Sequence, residues 1–300
     1  MHNASYNFRP TPIELERSEV PVHLLLSATL RKSATFAIYD ALLREYGAKD
    51  RFLPFECERH EIERREHLIA SFRLNGSSIG TIMVSDPFKF AAADWCDNLT
   101  DSASETGAVN LIVKSEQGLT GNNLDGKAFA VGLASEGETI AGKSMLFLGC
   151  GGVATAVALE SAMTLARVGL YDPDRARMMT LRDRLFAKFP SVPVSLVDDR
   201  SDRDLRGYDV VYNATGLGKT PREGATPLLN DDRLDATLYV DAVYRPSLTQ
   251  FLCYGKRVGA RVVNGASHML ASSALHCSAI MGRTVGVEEA RRTARRLGFL

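Results

Sequence analysis

The sequence predicts an α/β protein with two domains, and three observations support this fold class. The chain has 300 residues, of which 45% are hydrophobic and 24% charged, which suits a globular protein about twice as long as an average domain. Short apolar runs of strand length alternate with longer segments of helical periodicity, an order that favours parallel strands joined by helices. The alternation starts a second time at Ser144. Each cycle is therefore expected to form its own α/β unit.

The N-terminal part predicts two strand–helix units and a third strand. About 20 residues without periodicity come first and are expected to form an irregular arm. The apolar run at 22–26 fits a buried strand, and the helix after it should end at Gly47, since glycine favours the position just past a helix. Strands are predicted at 22–26, 51–55 and 80–84, and helices at 34–46 and 60–72.

The second cycle predicts more strands than the first. A strand at 145–148 leads through a glycine-rich turn into a helix at 153–168, which a strand at 169–171 follows. Further strands are predicted near 193–197, 209–213 and 238–243, and a last helix at about 288–297.

Composition excludes several classes of partner. Lys+Arg and Asp+Glu both count 36, so the formal net charge is zero, and no basic excess is present to bind nucleic acid or an anionic membrane. Apolar runs such as 22–26 are far shorter than the ~20 residues of a membrane-spanning helix. No signal peptide is expected, because the N-terminal residues lack an apolar h-region. We expect a cytoplasmic protein whose partner is a small molecule.

The cysteines and histidines do not form a metal pattern. The five cysteines are an odd number without a C-x-x-C pair, which argues against a disulfide framework or a zinc site. His60-Glu61 and His67 resemble a metal-binding helix only superficially, because two ligating histidines on one helix face should be four residues apart. No metal ion is expected.

A glycine pattern opens the helix of the second cycle. Residues 149–154 read Gly-Cys-Gly-Gly-Val-Ala, a G-x-G-x-x-A pattern directly after an apolar strand. Gly149 permits a tight turn, Gly151 lets the backbone approach a pyrophosphate, and Ala154 lets helix and strand pack closely. The helix N-terminal amides then face the phosphates. The sequence predicts a Rossmann-type dinucleotide site that includes Gly149, Gly151, Gly152, Val153 and Ala154, with an ordinary glycine turn as the alternative.

Asp172 follows the next strand, about 20 residues after the glycines. A carboxylate at that place accepts hydrogen bonds from the ribose hydroxyls of the adenosine half. It also repels the 2′-phosphate of NADP, because two anions disfavour each other in a partly desolvated site. We therefore expect NAD as cofactor, with NADP less favoured. The alternative is a turn residue before Pro173.

Five further motifs follow one another along the chain. They are 84–89 (VSDPFK), 107–110 (GAVN), 121–126 (GNNLDG), 213–218 (NATGLG) and 241–249 (DAVYRPSLT). In this order they resemble the motifs of the shikimate dehydrogenase family, over about residues 20–285. The resemblance implies a reversible hydride transfer between NAD(P) and a hydroxylated cyclohexene or cyclohexane carboxylate, such as shikimate or quinate, in aromatic amino acid biosynthesis.

The resemblance also assigns roles to residues. It makes Lys89 the group beside the reacting oxygen, where an ammonium stabilises negative charge and donates a proton. Asp125 would orient Lys89 and bind the neighbouring hydroxyl. The substrate-binding residues would be Ser33, Thr35, Ser85, Asn110, Tyr244 and Ser273, and further cofactor-binding residues Asn213, Ala214, Thr215, Val243 and Gly265.

The N-terminal motif departs from the family pattern. A gapless count places 33–35 (Ser-Ala-Thr) on the family's S-x-S, the pair that binds the substrate carboxylate, and 27–29 is the competing placement. Phe36 replaces the following proline, and Tyr39-Asp40 replaces the H-N pair. The hydroxyl chemistry is retained while the pocket shape changes.

Three other pocket positions differ as well. Met83, Leu124 and Ser273 stand where the family has asparagine, threonine and glutamine. Loss of the glutamine amide removes a bidentate hydrogen-bonding group, so a shifted substrate is expected. These losses also permit an alternative reading, a non-catalytic ligand sensor or regulatory protein. Retained Lys89 and Asp125 favour the enzyme.

The same resemblance divides the chain between substrate and cofactor. Residues 1–126 and the C-terminal helices at 266–300 are expected to form a substrate-binding and catalytic domain. Residues 127–265 are expected to form the Rossmann domain. A monomer and a homodimer both remain open.

Overall fold

The structure is a computed structural model. It describes residues 9–11, 15, 18–28, 30, 34–48, 50–197, 205–229 and 232–300. The chain forms two compact units, the first being Met1–Leu124 with Ser272–Leu300 and the second Asp125–Ala271. The assignment of substrate and cofactor domains to 1–126 with 266–300 and to 127–265 stays a prediction.

A six-stranded sheet is the centre of the first unit. Its elements are β1 (Val22–Ser27), α1 (Ala34–Glu45), β2 (Arg51–Glu56), α2 (Ile62–Arg73), β3 (Ile79–Val84), a 3₁₀ helix (Ala91–Trp95), β4 (Asn98–Leu99), α3 (Asp101–Thr106), β5 (Leu111–Ser115) and β6 (Gly118–Asn122). β1 is buried along its whole length and pairs in parallel with β2 and β3. Leu24, Leu26, Phe55 and Phe72 form part of the apolar core. The elements predicted between residues 22 and 84 are confirmed to within two residues at each end.

The parallel pairing expected for the three predicted strands is confirmed, but the sheet as a whole is mixed. Its order is β2-β1-β3-β5-β6-β4, and β5 runs antiparallel to both β3 and β6. The hairpin of β5 and β6 was missed because Gly118–Asn122 contains two glycines and only one large apolar residue, Leu119, a composition that disfavours strands. The pairing rather than the local propensity makes it a strand.

The second unit contains a parallel six-stranded sheet. Its elements are α4 (Asp125–Ser135), β7 (Ser144–Leu148), α5 (Gly152–Ser161), a 3₁₀ helix (Ala162–Thr164), β8 (Arg167–Tyr171), α6 (Arg175–Lys188), β9 (Val194–Leu196), β10 (Val210–Asn213), β11 (Leu238–Asp241), α7 (Gln250–Arg257), β12 (Arg261–Val263) and α8 (Ala266–Met281), whose last residues belong to the first unit. The last helix, α9 (Val287–Arg296), also lies in the first unit. The order β12-β11-β10-β7-β8-β9 is that of a Rossmann fold, so the predicted fold class is confirmed.

Both faces of this sheet are apolar. Met145 and Phe147 of β7 belong to one core cluster, whereas Leu146 and Leu148 belong to a second. Successive strand residues point to opposite faces, so a strand covered on both sides needs an uninterrupted apolar run. This explains why β7 reads as continuous hydrophobic sequence.

The helix predicted at 153–168 is wrong at its end. α5 stops at Ser161, and β8 already begins at Arg167. The Ala166 N–H donates to the Lys143 carbonyl at 2.9 Å, and Val168 N–H donates to the Pro193 carbonyl at 2.9 Å. Short apolar segments fit a helix or a strand equally well by pattern, and here pairing with β7 and β9 decides. In the described part of the chain, no helix is long and apolar enough to cross a membrane.

Candidate active site

The topology of the second unit creates a distinctive position at the carboxyl ends of its central strands. The chain passes from β7 through β8 to β9 on one side, and β10 then pairs with the other side of β7. Ligands of such sheets bind at the carboxyl ends of the strands where the winding reverses. The glycine turn follows β7, and residues 213–218 follow β10. Two predicted cofactor motifs therefore meet at this point.

The backbone of the glycine turn lies against the loop after β10. Gly149 has φ +96°, and a Cβ built on it would lie 2.9 Å from Thr215 N and 3.0 Å from the Ala214 carbonyl carbon. Only glycine fits both the left-handed conformation and this close approach. Gly151 is the N-cap of α5, where no side chain caps the helix, and a Cβ there would meet nothing within 4 Å. The amides of Gly151, Gly152 and Val153 at this helix end fit a dinucleotide pyrophosphate.

Asp172 is fixed beside this turn. One of its carboxylate oxygens accepts from Cys150 N–H at 2.8 Å, and the other from Asp174 N–H at 2.8 Å. The side chain is buried. Burial, helped by the Asp172 charge, raises the pKa of the Cys150 thiol to about 12, so Cys150 stays protonated at neutral pH.

The segment after Asp172 carries its own charge pairing. Asp174 caps α6 by accepting from Ala176 N–H at 3.0 Å. Arg177 pairs with the Asp174 carboxylate at 3.2 Å. Pro173, between the two carboxylates, has no N–H to donate.

Asn213, Ala214 and Thr215 lie where the sequence predicts them, but the Asn213 side chain points inward. It is fully buried, and its amide donates to Asp241 at 3.0 Å and to the Leu217 carbonyl at 3.2 Å. Its oxygen accepts from Thr215 N–H at 3.1 Å and from the Thr215 hydroxyl at 2.6 Å. Asn213 thus shapes the loop that presents Ala214 and Thr215.

The loop after β11 contacts the residue before α8. Gly265 N–H donates to the Val243 carbonyl at 3.0 Å, and a Cβ on Gly265 would lie only 2.2 Å from the Ala242 oxygen. Tyr244, the next residue of the loop, is half-buried. A small crevice opens nearby, lined by Phe129, Leu133, Tyr212, Val240, Asp241, Asn264, Ser267 and His268.

In the first unit, three predicted motifs meet near the carboxyl end of β3. Ser85 and Lys89 follow β3, where Ser85 N–H donates to the Leu26 carbonyl at 2.9 Å. Val109 N–H donates to the Lys89 carbonyl at 2.8 Å, which joins the loop of Lys89 to the G-A-V-N motif. Lys89 is half-buried. Its ammonium is therefore carried by a loop fixed at both ends.

Asn110 ties the third motif to this end of β3. Its side-chain oxygen accepts from Leu124 N–H at 3.0 Å, and its N–H donates to the Asn122 carbonyl at 2.9 Å. Asn110 is buried. Asp125, also buried, is the first residue of α4 in the second unit, a helix position that stabilises a carboxylate. Lys89 and Asp125 belong to different units, and their pairing stays a prediction.

The N-terminal substrate residues lie partly outside the description. Ser33 is not among the described residues, whereas Thr35 lies in the first turn of α1 and is half-buried. The competing Ser27 ends β1 and is buried. Tyr39 of α1 has its hydroxyl 3.1 Å from His276 Nδ1 on α8. Ser273 of α8 is fully buried, with no exposed surface.

Asp241 begins the motif at 241–249 and has no role predicted from the sequence. Its carboxylate accepts three hydrogen bonds inside the second unit, and burial raises its pKa to about 6. A charged residue that ends an apolar strand was the available signal. Within the described ranges, no group of three or more His, Cys, Asp or Glu side chains could hold a metal ion.

Comparison with known proteins gives a domain match and relatives that align with most of this chain. Residues 25–112 match the family model described as the shikimate dehydrogenase substrate binding domain. A protein of Bacillus cereus (strain AH187) named shikimate dehydrogenase (NADP(+)) is 31% identical over 232 residues, which are 75% of this chain and 82% of the relative. A Symbiobacterium thermophilum protein of the same name is 30% identical over 275 residues, 90% of this chain and 92% of the relative.

The fold has counterparts among solved structures. Shikimate 5-dehydrogenase from Listeria monocytogenes, in complex with shikimate and NAD, superposes with a TM-score of 0.77 at 24% identity. The match covers 91% of this chain and 96% of that one. The solved structure was obtained with NAD, whereas both relatives are named for NADP(+). These comparisons support a nicotinamide cofactor and do not support NAD over NADP.

Proposed function

The chain belongs to the shikimate dehydrogenase family, and from this premise we propose that it transfers a hydride reversibly between a nicotinamide dinucleotide and a hydroxylated cyclohexene or cyclohexane carboxylate. As a family member it is an NAD(P)-dependent oxidoreductase. The observation that carries the proposal is the meeting of the Gly149 turn with Ala214 and Thr215 at the winding reversal of the sheet. The carboxyl ends of parallel strands at such a reversal are where dinucleotides bind.

Lys89 is the proposed proton donor and acceptor. A bound nicotinamide dinucleotide would supply or accept the hydride. As a ketone carbon gains hydride, its oxygen gains negative charge, which the Lys89 ammonium stabilises and then protonates. In the reverse direction the Lys89 amine takes the proton back from the hydroxyl. The hydrogen bond from Val109 N–H to the Lys89 carbonyl fixes the backbone from which the Lys89 side chain projects.

The remaining predicted residues would bind and orient the substrate. Asp125 at the start of α4 is proposed to accept from a ring hydroxyl and to orient Lys89. Thr35 and Ser85 are half-buried hydroxyl groups suited to a carboxylate or a ring hydroxyl. Ser33 and Tyr244 complete the proposed set, with Asn110 acting through the Leu124 backbone that it holds. Ser273 has no exposed surface in this structure, so its predicted contact with the substrate is not proposed.

NAD is proposed as the preferred cofactor, against the NADP(+) names of the relatives. The support comes from this chain's own residues. The Asp172 carboxylate is held beside the glycine turn by Cys150 N–H, where it can accept from ribose hydroxyls and repel a 2′-phosphate. Arg177, on the helix that follows, pairs with the Asp174 carboxylate at 3.2 Å. Pro173 offers no donor to a phosphate.

The pocket substitutions suggest that the acid differs from shikimate or that several acids react. Leu124 and Met83 contribute apolar side chains, and Met83 is buried. A site that lacks an amide partner discriminates less against analogues without the matching hydroxyl. Quinate and modified shikimates are therefore proposed beside shikimate. The non-catalytic sensor is less favoured, because both relatives carry enzyme names.

A substrate panel tests this function. Purified protein is assayed with shikimate, quinate and related acids, each with NAD and NADP, by the absorbance of the reduced nicotinamide. Cofactor binding is measured separately by protein fluorescence. Turnover of at least one cyclic hydroxy acid is expected, with higher kcat/KM for NAD. Cofactor binding without any turnover would favour the sensor, and no binding of either cofactor would overturn the assignment.

A further inference from the structure

A buried polar cluster lies behind the cofactor loops of the second unit. It consists of Asp241 at the end of β11, Asn213 at the end of β10 and Thr249 at the N-cap of α7. All three side chains are at most 1% exposed. Burying a carboxylate is costly unless it is well hydrogen-bonded, so its retention here calls for a specific role.

The Asp241 carboxylate joins three segments of the chain. It accepts from Asn213 Nδ2 at 3.0 Å, from Val243 N–H at 2.9 Å and from the Thr249 hydroxyl at 2.6 Å. The Thr249 hydroxyl also accepts from Leu252 N–H at 3.2 Å. One side chain thereby fixes the loop after β10, the loop after β11 and the start of α7.

The loops after β10 and β11 both lie at the carboxyl ends of the strands, where the cofactor is proposed to bind. Through Asn213, Asp241 shapes the turn in which the Thr215 backbone contacts Gly149. Through Val243, it shapes the loop against which Gly265 packs without room for a Cβ. The two strands are adjacent and in register, with Asn213 opposite Asp241. Because Asp241 joins the two loops, loss of its hydrogen bonds would disturb both the contact of Thr215 with Gly149 and the packing of Gly265.

We propose that Asp241 is a positioning residue for the nicotinamide cofactor, acting through Asn213 and Thr249 to hold the two loops against the glycine turn. The proposal rests on the proposed function, because it needs a dinucleotide at these strand ends. Asp241 itself is buried behind the loops and acts through its hydrogen bonds. Removal of those bonds should weaken cofactor binding more than it affects the use of the acid.

The test compares variants that keep or remove the bonds. Asp241→Ala removes all three, and Thr249→Val removes the hydroxyl with little change in shape, while Thr249→Ser keeps it. Asp241→Asn keeps an acceptor for Asn213 and Val243 and presents an amide that can donate to the Thr249 oxygen. Asp209→Asn is the matched control, because Asp209 lies at the opposite end of β10 and accepts from Ser144 N–H at 2.8 Å.

The measurements are the Kd of NAD and NADP by fluorescence, and the KM of the reacting acid at saturating cofactor. We expect Asp241→Ala to raise the cofactor Kd about tenfold and Thr249→Val to raise it several-fold. Thr249→Ser, Asp241→Asn and Asp209→Asn should stay close to wild type, and in Asp241→Ala and Thr249→Val the acid KM should change by a smaller factor than the cofactor Kd. If Asp241→Ala does not fold, the Thr249 pair decides.

Three results would overturn the proposal. The first is an unchanged cofactor Kd in both Asp241→Ala and Thr249→Val. The second is an equal loss in Asp241→Asn and Asp241→Ala, which would make the charge and not the bonds responsible. The third is an equal loss in Asp209→Asn, which would indicate general destabilisation. Wild-type protein that binds neither cofactor would instead refute the proposed function and this inference with it.

Discussion

The two units hold their predicted site residues in different ways. In the second unit the proposed site is made mostly of backbone, since Gly149 and Gly265 approach neighbouring loops more closely than any side chain allows. In the first unit the proposed site depends on the side chains of Thr35, Ser85 and Lys89, of which the last two lie on a loop with hydrogen-bonded ends. Side chains can be exchanged without breaking a sheet, whereas backbone contacts cannot. This difference explains why the pocket motifs depart from the family pattern while the glycine turn does not.

The largest effect should come from Lys89→Ala. This substitution removes the proposed acid–base group of the first unit and leaves the proposed cofactor site of the second unit unchanged. We expect kcat to fall by about 10² to 10⁴, the usual contribution of an acid–base group. The Kd of NAD should remain within about twofold of wild type, because the proposed dinucleotide site lies in the second unit. Lys114→Ala, on β5 of the same sheet, is the control and should retain activity. A Lys89→Ala protein with near-normal kcat would refute the assignment.

A pair of glycine variants tests the backbone character of the second unit. Gly151→Ala meets open space in the protein, so thermal stability should be kept while the new methyl group weakens pyrophosphate binding by about 10- to 100-fold. Gly265→Ala would place its Cβ 2.2 Å from the Ala242 oxygen and should lower the melting temperature by several degrees, since overpacking costs about 1–3 kcal/mol. Cofactor titration and thermal unfolding of both proteins distinguish the two effects. Equal behaviour of the pair would contradict the difference in local geometry.

Asp172→Ala addresses the cofactor preference. Wild type is expected to have the higher kcat/KM with NAD, and loss of the carboxylate should move the NAD/NADP ratio of kcat/KM about tenfold towards NADP. Asp183→Ala, on α6, is the control, because it removes a carboxylate that pairs with Arg182 and leaves the Arg177–Asp174 pair intact. An NADP preference in wild type, or the same shift in both variants, would count against the role of Asp172.

The smallest effect concerns the pH dependence of stability in the second unit. Burial raises the pKa of Asp241 to about 6 from an ordinary value of 3.8, so the folded chain binds this proton more tightly than the unfolded chain does. The contribution of Asp241 to the free energy of unfolding is therefore greatest below about pH 4 and is lost as the pH rises through about 6. Asp241→Asn lacks this titration. The melting temperature of the variant relative to wild type should rise by a few degrees between about pH 4.5 and 7.5, and a constant difference would contradict the raised pKa.

Sequence reasoning predicted the sheet topology of the second unit better than that of the first. The parallel sheet of the second unit follows from apolar strands such as β7, whose two faces are both buried, and from the glycine pattern that opens α5. The antiparallel hairpin of β5 and β6 was not predicted, because its second strand is rich in glycine and becomes a strand only through pairing. The end of α5 was misplaced for a related reason. Residues 165–168 fit a helix by pattern, but Ala166 and Val168 donate backbone hydrogen bonds to the Lys143 and Pro193 carbonyls.

The candidate site shows the same division. Residue identity and order along the chain were enough to identify the family and to predict roles for the glycine turn, Lys89 and Asp172, because these depend on local chemistry at fixed spacing. The inward direction of Asn213 and the three bonds of Asp241 depend on which strands become neighbours, and no local pattern records that. Likewise, the full burial of Ser273 follows from packing around α8. The sequence by itself determined the chemical groups and the fold class, whereas the tertiary structure decided which of those groups face a ligand and which hold the others in place, because hydrogen-bond partners far apart in the chain are chosen only when the sheet has formed.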